Sequence, residues 1–228
     1  MLETTGTVLA VIVVVLWLYF SLLLRRRVPN LHNINAISFC WLTMTAITGI
    51  WEGAFLYNYE QVAADAADFI AVKKHVWTTS YDLSYILPWK FSPIMYTEYA
   101  AHGDRSYMSL TDPLSQIVET THLLYCSVFA ALCLYLKAKG DTPRYLIFMS
   151  LAMASQSMQC LTYMSNYFIE TGEPHHANFI CDAFPAGPYF EKRPFMYVNL
   201  FWTFMGLFVI GEQTLSFTQM ETSKFKSK

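Results

Sequence analysis

Charge is what this sequence has least of. Only 14% of its 228 residues are Asp, Glu, Lys or Arg, against about 25% in an ordinary soluble domain. The 15 basic residues nearly balance the 17 acidic ones. That excludes a nucleic-acid binder built on a basic face. Nine glycines and nine prolines are too few for a collagen-like or Pro-rich chain. Five cysteines form no C-x-x-C and no zinc-ligand spacing. Cys40, Cys126, Cys133 and Cys160 fall inside long apolar runs, and only Cys181 lies in a loop on the non-cytosolic side. No loop disulfide is therefore available. There is no N-x-S/T sequon, no P-loop and no G-x-G-x-x-G. His175–His176 is a pair within a loop, read as solvated. No metal and no cofactor are expected, and no internal repeat is visible.

What the chain does contain is long apolar runs, 54% hydrophobic residues in all, which excludes disorder. Thr7–Leu24 reads TVLAVIVVVLWLYFSLLL and carries no charge. Ile34–Tyr57 carries one, Glu52. Pro113–Leu136 carries Glu119 and His122, Tyr145–Ile169 carries none, and Phe195–Phe217 carries Glu212 near its far end. About 20 apolar residues at about 1.5 Å rise cross a hydrocarbon layer of roughly 30 Å. Lipid does not tolerate unpaired backbone groups, so runs this long should be helices. The expectation is an all-α membrane protein, a bundle of five transmembrane helices around a lipophilic pocket. It forms one domain over residues 1–228, with spans at about 7–24, 34–57, 113–136, 145–169 and 195–217.

The first run is read as a retained helix, not a cleaved leader. Its positive charges follow the apolar stretch, and no small-x-small site ends it. Arg25, Arg26 and Arg27 follow span one. Lys137, Lys139 and Arg144 lie between spans three and four, and Lys224, Lys226 and Lys228 follow span five. With five spans all three clusters share a side, which the positive-inside rule makes cytosolic. The opposite side then holds a long loop from about Asn58 to Asp112 and a shorter one, Glu170–Arg193. The end, KFKSK, resembles the dilysine-type retrieval signal of endoplasmic reticulum membrane proteins, and this orientation puts it in the cytosol. A basic solvated tail that meets anionic lipid is the plainer reading.

A carboxylate at mid-bilayer costs roughly 2.5–3.5 kcal/mol on insertion scales, so it must face the bundle interior or a cavity. Glu52 sits two-thirds along span two and Glu119 two turns into span three. Both fall in the non-cytosolic half of the membrane and can share one depth. His122 follows Glu119 by three residues, on the same helical face. Two acids and an imidazole in a dry setting can give and take protons, because burial keeps a carboxylic acid neutral. The plainer alternative is hydrogen-bonded glue between helices. Trp51 adjoins Glu52, Tyr163 lies two turns after Gln156, and Trp202 lies three residues after Asn199. Rings around a dry pocket stabilise a cation by up to about 2 kcal/mol.

These residues carry a resemblance. CWLTMTAITGIWEGAFLYNYE (Cys40–Glu60) is similar to the second-helix signature of the emopamil-binding protein family of sterol delta-8/delta-7 isomerases. EYAAHGDRSY (Glu98–Tyr107) resembles that family's Glu-Tyr-Ala…Gly-Asp segment. Asp112 precedes Glu119 by the family's spacing, within V-E-T (Val118–Thr120). NLFW (Asn199–Trp202) matches its N-x-x-W, and Gln156 and Tyr163 match polar and aromatic positions of helix four. The similarity runs from about Cys40 to Phe217, in the order of the wider EXPERA group, which also contains the sigma-2 receptor.

The resemblance implies a five-helix protein of the endoplasmic reticulum membrane, active in sterol or terpenoid lipid metabolism. It needs no cofactor, and its partners are a lipophilic polycyclic small molecule and membrane lipid, without nucleic acid; a homodimer is compatible with it. An acid protonates an alkene and the resulting carbocation loses a different proton. By position Glu52 and Glu119 match the two acids, and Asn199 and Trp202 match pocket residues of the last helix. Two positions depart. Thr48 stands where the isomerases have His, one turn before the first Glu, and His122 stands where they have Thr. If Glu52 and Glu119 face each other, His122 restores a His–carboxylate pair from the opposite helix. The resulting expectation is catalysis by Glu52, Glu119 and His122, with Thr48, Trp51, Gln156, Tyr163, Asn199 and Trp202 binding substrate. A non-catalytic sterol- or lipid-binding protein of the sigma-2 type is the alternative, and a small proton-coupled transporter a third.

Overall fold

The computed structural model describes residues 3–110, 112–170 and 194–226. A short strand β1 (Glu3–Thr5) leads into α1 (Gly6–Arg27). Arg25, Arg26 and Arg27 fill the last turn of α1, where cations complement the helix dipole. Arg25 also donates to the carbonyls of Ile34 at 2.7 Å and His32 at 2.9 Å. That ties the turn to the start of α2 (Ala36–Tyr57), where the Ile37 N–H donates to the capping Asn35 side chain at 2.8 Å.

The stretch expected as a long loop is instead largely helical. Helix α3 (Tyr59–Ala71) buries Tyr59, Val62, Ala63 and Ala66, the spacing of one helical face. A second strand β2 (Ser80–Asp82) pairs antiparallel with β1, with Thr4 opposite Tyr81. Helix α4 (Pro88–Glu98) starts on Pro88, whose fixed φ suits a first helical position. It continues into a π-helical turn, Tyr99–Gly103. The signal for the first of these helices is the amphipathic period of YEQVAADAADFIA.

The third span is one continuous helix, Leu114–Ala138. It consists of α5 (Leu114–Thr121), a π-helical turn (His122–Ser127) and α6 (Val128–Ala138). Then come α7 (Thr142–Glu170) and α8 (Pro194–Lys226), the latter running well past the expected end at Phe217. Among the described residues four helices are long and apolar enough to cross a membrane: Gly6–Arg27, Ala36–Tyr57, Leu114–Ala138 and Phe195–Gln219. Helix α7 covers the remaining expected span but is not one of these four. Ser155, Gln156, Ser157, Gln159, Thr162, Ser165 and Asn166 dilute it. His175, His176, Cys181 and Lys228 lie outside the described residues.

Helix α7 packs between α6 and α8. One core cluster joins α2, α6, α7 and α8 through Phe39, Leu42, Cys133, Tyr145, Met149, Met153 and Val209. A second joins the end of α2 to α3 and the segment after α4, through Phe55, Tyr59, Val62, Ala100, Tyr107, Tyr163 and Phe195. Gly49 sets how closely α2 approaches the third span. A Cβ there would stand 2.7 Å from the Ser127 Cβ, so only glycine permits this contact, as small residues do between membrane helices.

Candidate functional site

One turn beyond Gly49, α2 presents Glu52 to the third span. There His122 opens the π-helical turn, a distortion common at functional sites. The His122 Nδ1 and the Glu52 Oε1 form a hydrogen-bonded pair, and both residues are buried. Each keeps one buried polar atom with no partner among the described residues, Oε2 of Glu52 and Nε2 of His122. Buried polar atoms are rarely left so, and each such atom calls for an explanation.

Glu119, three residues before His122, is held differently. Its Oε1 accepts from the Tyr107 hydroxyl at 2.6 Å and its Oε2 from the Tyr96 hydroxyl at 2.8 Å. Both donors come from the 58–112 segment, outside the spans. Burial, and secondly the neighbouring Glu119 charge, push the Tyr107 hydroxyl well above the ordinary tyrosine range. It therefore remains a donor at any physiological pH. Tyr96 stacks on Phe55 with ring centroids 4.1 Å apart, and Tyr99 meets Tyr107 edge-on at 4.9 Å.

These groups share a cavity of about 360 Å³. Thr48, Trp51, Glu52, Glu119 and His122 line it from α2 and the third span, and Gln159, Cys160, Val198, Asn199 and Trp202 line it from α7 and α8. Met95, Tyr96, Tyr99, Tyr107 and Val118 complete the wall. Trp202 stands edge-on to the His122 ring at 5.7 Å, and Trp51 packs on Phe91 at 5.7 Å. The volume lies at the lower end of small-molecule pockets, which run at about 300–1,000 Å³, and the mix of apolar lining with few polar groups is their usual one.

The structure brings Glu52, Glu119 and His122 together with Thr48, Trp51, Asn199 and Trp202. The Thr48 hydroxyl donates to the Thr45 carbonyl at 2.7 Å, so its polar atom is already engaged. The Asn199 side chain donates to the Phe195 carbonyl at 2.8 Å and keeps its oxygen free of that bond. Gln156 and Tyr163 are not on the cavity wall. Gln156 accepts from Thr45 at 3.1 Å and donates to the Trp202 carbonyl at 2.9 Å, fastening α7 to α2 and α8. Tyr163 packs against Tyr107 and Phe195. The cavity side of α7 is taken by Gln159 and Cys160, about one turn from Gln156. Sequence reasoning also missed Tyr96 and Tyr107. Tyr96 lies two residues before the motif EYAAHGDRSY and Tyr107 ends it, and this density of tyrosines beside a Glu was the available signal.

No family model, no curated protein and no solved structure matches this chain.

Proposed function

We propose that the chain is a multi-pass membrane isomerase of the EXPERA kind. It acts on a sterol-like or terpenoid lipid by protonating an alkene and removing a proton from the cation that results. In this reading α7 is span four and brings the number of spans to five, the membrane is that of the endoplasmic reticulum and the C-terminus is cytosolic. The observation that carries the reading is the asymmetry between the two acids around one cavity. Glu52 and His122 pair with each other and leave Oε2 and Nε2 unengaged. Glu119 is held by two hydroxyl donors.

The roles follow from that asymmetry. A proton on the Glu52–His122 pair is available through Nε2 of His122, because Nδ1 is occupied by Glu52. Transfer from Nε2 to one alkene carbon forms a C–H bond, spends the π pair and leaves a tertiary carbocation on the other carbon. Glu119, oriented by its two tyrosine donors, takes a proton from a neighbouring carbon, and that C–H pair becomes the new double bond. Substrate and product have the same formula. The proton gained by Glu119 returns to His122 before the next turnover, so the cycle uses no cofactor. Trp51 and Trp202 present rings to the cation, and the fixed carboxylates stabilise it without solvent reorganisation.

The alternative reading, sterol or lipid binding without turnover, draws on the Thr48 position, where an imidazole of the isomerases is missing. Mass spectrometry of lipids from a host expressing the chain decides between them. An isomer that accumulates with the wild-type chain and not with Glu119→Gln supports the enzyme. Identical lipid profiles support the binding protein.

A further inference from the structure

On the 58–112 segment, outside the spans, His75, Glu98 and His102 meet. One ligating atom from each lies within 4.8 Å of the other two. They come from two places: His75 from the turn after α3, and Glu98 and His102 from the last residue of α4 and the π-helical turn that continues it. His75 Nδ1 faces Glu98 Oε1 at 2.9 Å. A carboxylate oxygen only accepts, so a proton or a cation must stand between these two atoms. The other Glu98 oxygen accepts from the Val76 N–H at 2.8 Å, which fixes the carboxylate in place. His102 Nε2 meets the Lys74 carbonyl at 2.9 Å. A carbonyl accepts, so Nε2 carries the hydrogen and Nδ1 is the nitrogen left to face a ligand. Imidazoles that bind metal commonly pass their second N–H to a backbone carbonyl in this way. The two rings lie 4.0 Å apart and nearly parallel, tilted by 30°.

We propose that His75, Glu98 and His102 form a binding site for a divalent transition metal of the zinc class. Two imidazoles and one carboxylate are a ligand set that zinc uses with a fourth position left to water. The imidazoles disfavour magnesium and calcium, which take oxygen ligands. Zinc–nitrogen and zinc–oxygen bonds run at about 2.0–2.2 Å, so the three side chains close on the ion when it binds. The Glu98 side chain is 10% exposed and the His75 side chain 48% exposed, so the site is anchored on one side and reachable from solvent on the other. Binding displaces the proton between His75 and Glu98, as metal binding generally does at such ligands. The ion ties the turn after α3 to the end of α4, and it does so independently of the chemistry proposed inside the bundle.

The test is equilibrium dialysis of the full-length chain in detergent, freed of metal by chelator, against Zn²⁺, with Co²⁺ absorption as the coordination readout. The expected result is one equivalent of Zn²⁺, a Co²⁺ spectrum of low-symmetry four- or five-coordination and a higher unfolding temperature with metal present. His75→Ala and His102→Ala should each weaken binding at least tenfold. Glu98→Gln keeps an oxygen for the Val76 N–H, so it tests the ligand without removing that bond. His32→Ala and Glu119→Gln should leave binding unchanged. No stoichiometric uptake, or a His75→Ala or His102→Ala protein that binds as tightly as wild type, overturns the assignment.

Discussion

The His122 imidazole and the Glu52 carboxylate, 70 residues apart in sequence, are bonded across two helices, Nδ1 to Oε1. This contact joins two spans at one cavity, and it leaves Nε2 of His122 without a partner among the described residues. Replacing Glu52 by Gln keeps the shape and removes the carboxylate bonded to His122. General acid–base groups contribute about 10²–10⁴-fold. Glu52→Gln and Glu119→Gln should each lose turnover by that order, with membrane insertion and expression unchanged. Isomer formation by membranes of each variant, read against immunoblot, checks this.

The imidazole can be moved. Thr48 is on the cavity wall, one turn before Glu52, and residues four apart on a helix are neighbours. His122→Thr alone should be nearly inactive. Adding Thr48→His should restore measurable turnover and shift the ratio of alkene isomers formed, because the proton then arrives from a different wall. A double variant no better than His122→Thr would mean that the imidazole acts only from the third span.

Tyr107 gives the shortest hydrogen bond to Glu119, 2.6 Å. A bond to a charged group is worth about 1.5–3 kcal/mol, and each 1.36 kcal/mol is tenfold in rate. Tyr107→Phe should slow turnover by roughly 10- to 100-fold while affinity for the substrate changes little. Separate kcat and KM values check it, since a merely structural role would raise KM as well.

Gly49 and Gly53 share α2 and should respond in opposite ways. A Cβ at Gly49 would stand 2.7 Å from the Ser127 Cβ, whereas a Cβ at Gly53 meets nothing within 4 Å. Overpacking costs about 1–3 kcal/mol, so Gly49→Ala should lower the unfolding temperature in detergent and pull Glu52 away from His122. Gly53→Ala should be neutral or stabilising, since glycine within a helix costs about 0.5–1 kcal/mol against alanine.

Four of the five expected spans were legible because composition alone marks them, as in the 18 residues from Thr7 without a charge; the polar residues of α7 keep it out of that set. Glu52, Glu119 and His122 were legible because charge inside an apolar run is costly and must turn inward. The rotation of α7 was not. Gln156 and Gln159 are both polar residues on one helix, and only the packing against Thr45 and Trp202 shows that the first is a fastener and the second faces the cavity. Tyr96 and Tyr107 were hidden for a different reason. They reach Glu119 from a segment outside the spans, through tertiary contacts that no period in the sequence encodes. The His75–Glu98–His102 cluster is likewise assembled by the fold, although Glu98 and His102 are one turn apart.

The most direct test of the central claim, that this cavity passes a hydrogen ion to a carbon–carbon double bond, uses the purified chain in lipid nanodiscs. It is incubated in heavy water with a neutral-lipid extract and analysed by mass spectrometry. The account predicts a new isomer carrying one deuterium on carbon, formed by wild type and absent with Glu52→Gln and Glu119→Gln. A lipid retained by the protein but recovered without deuterium, or the same deuterated isomer from all three proteins, would contradict it.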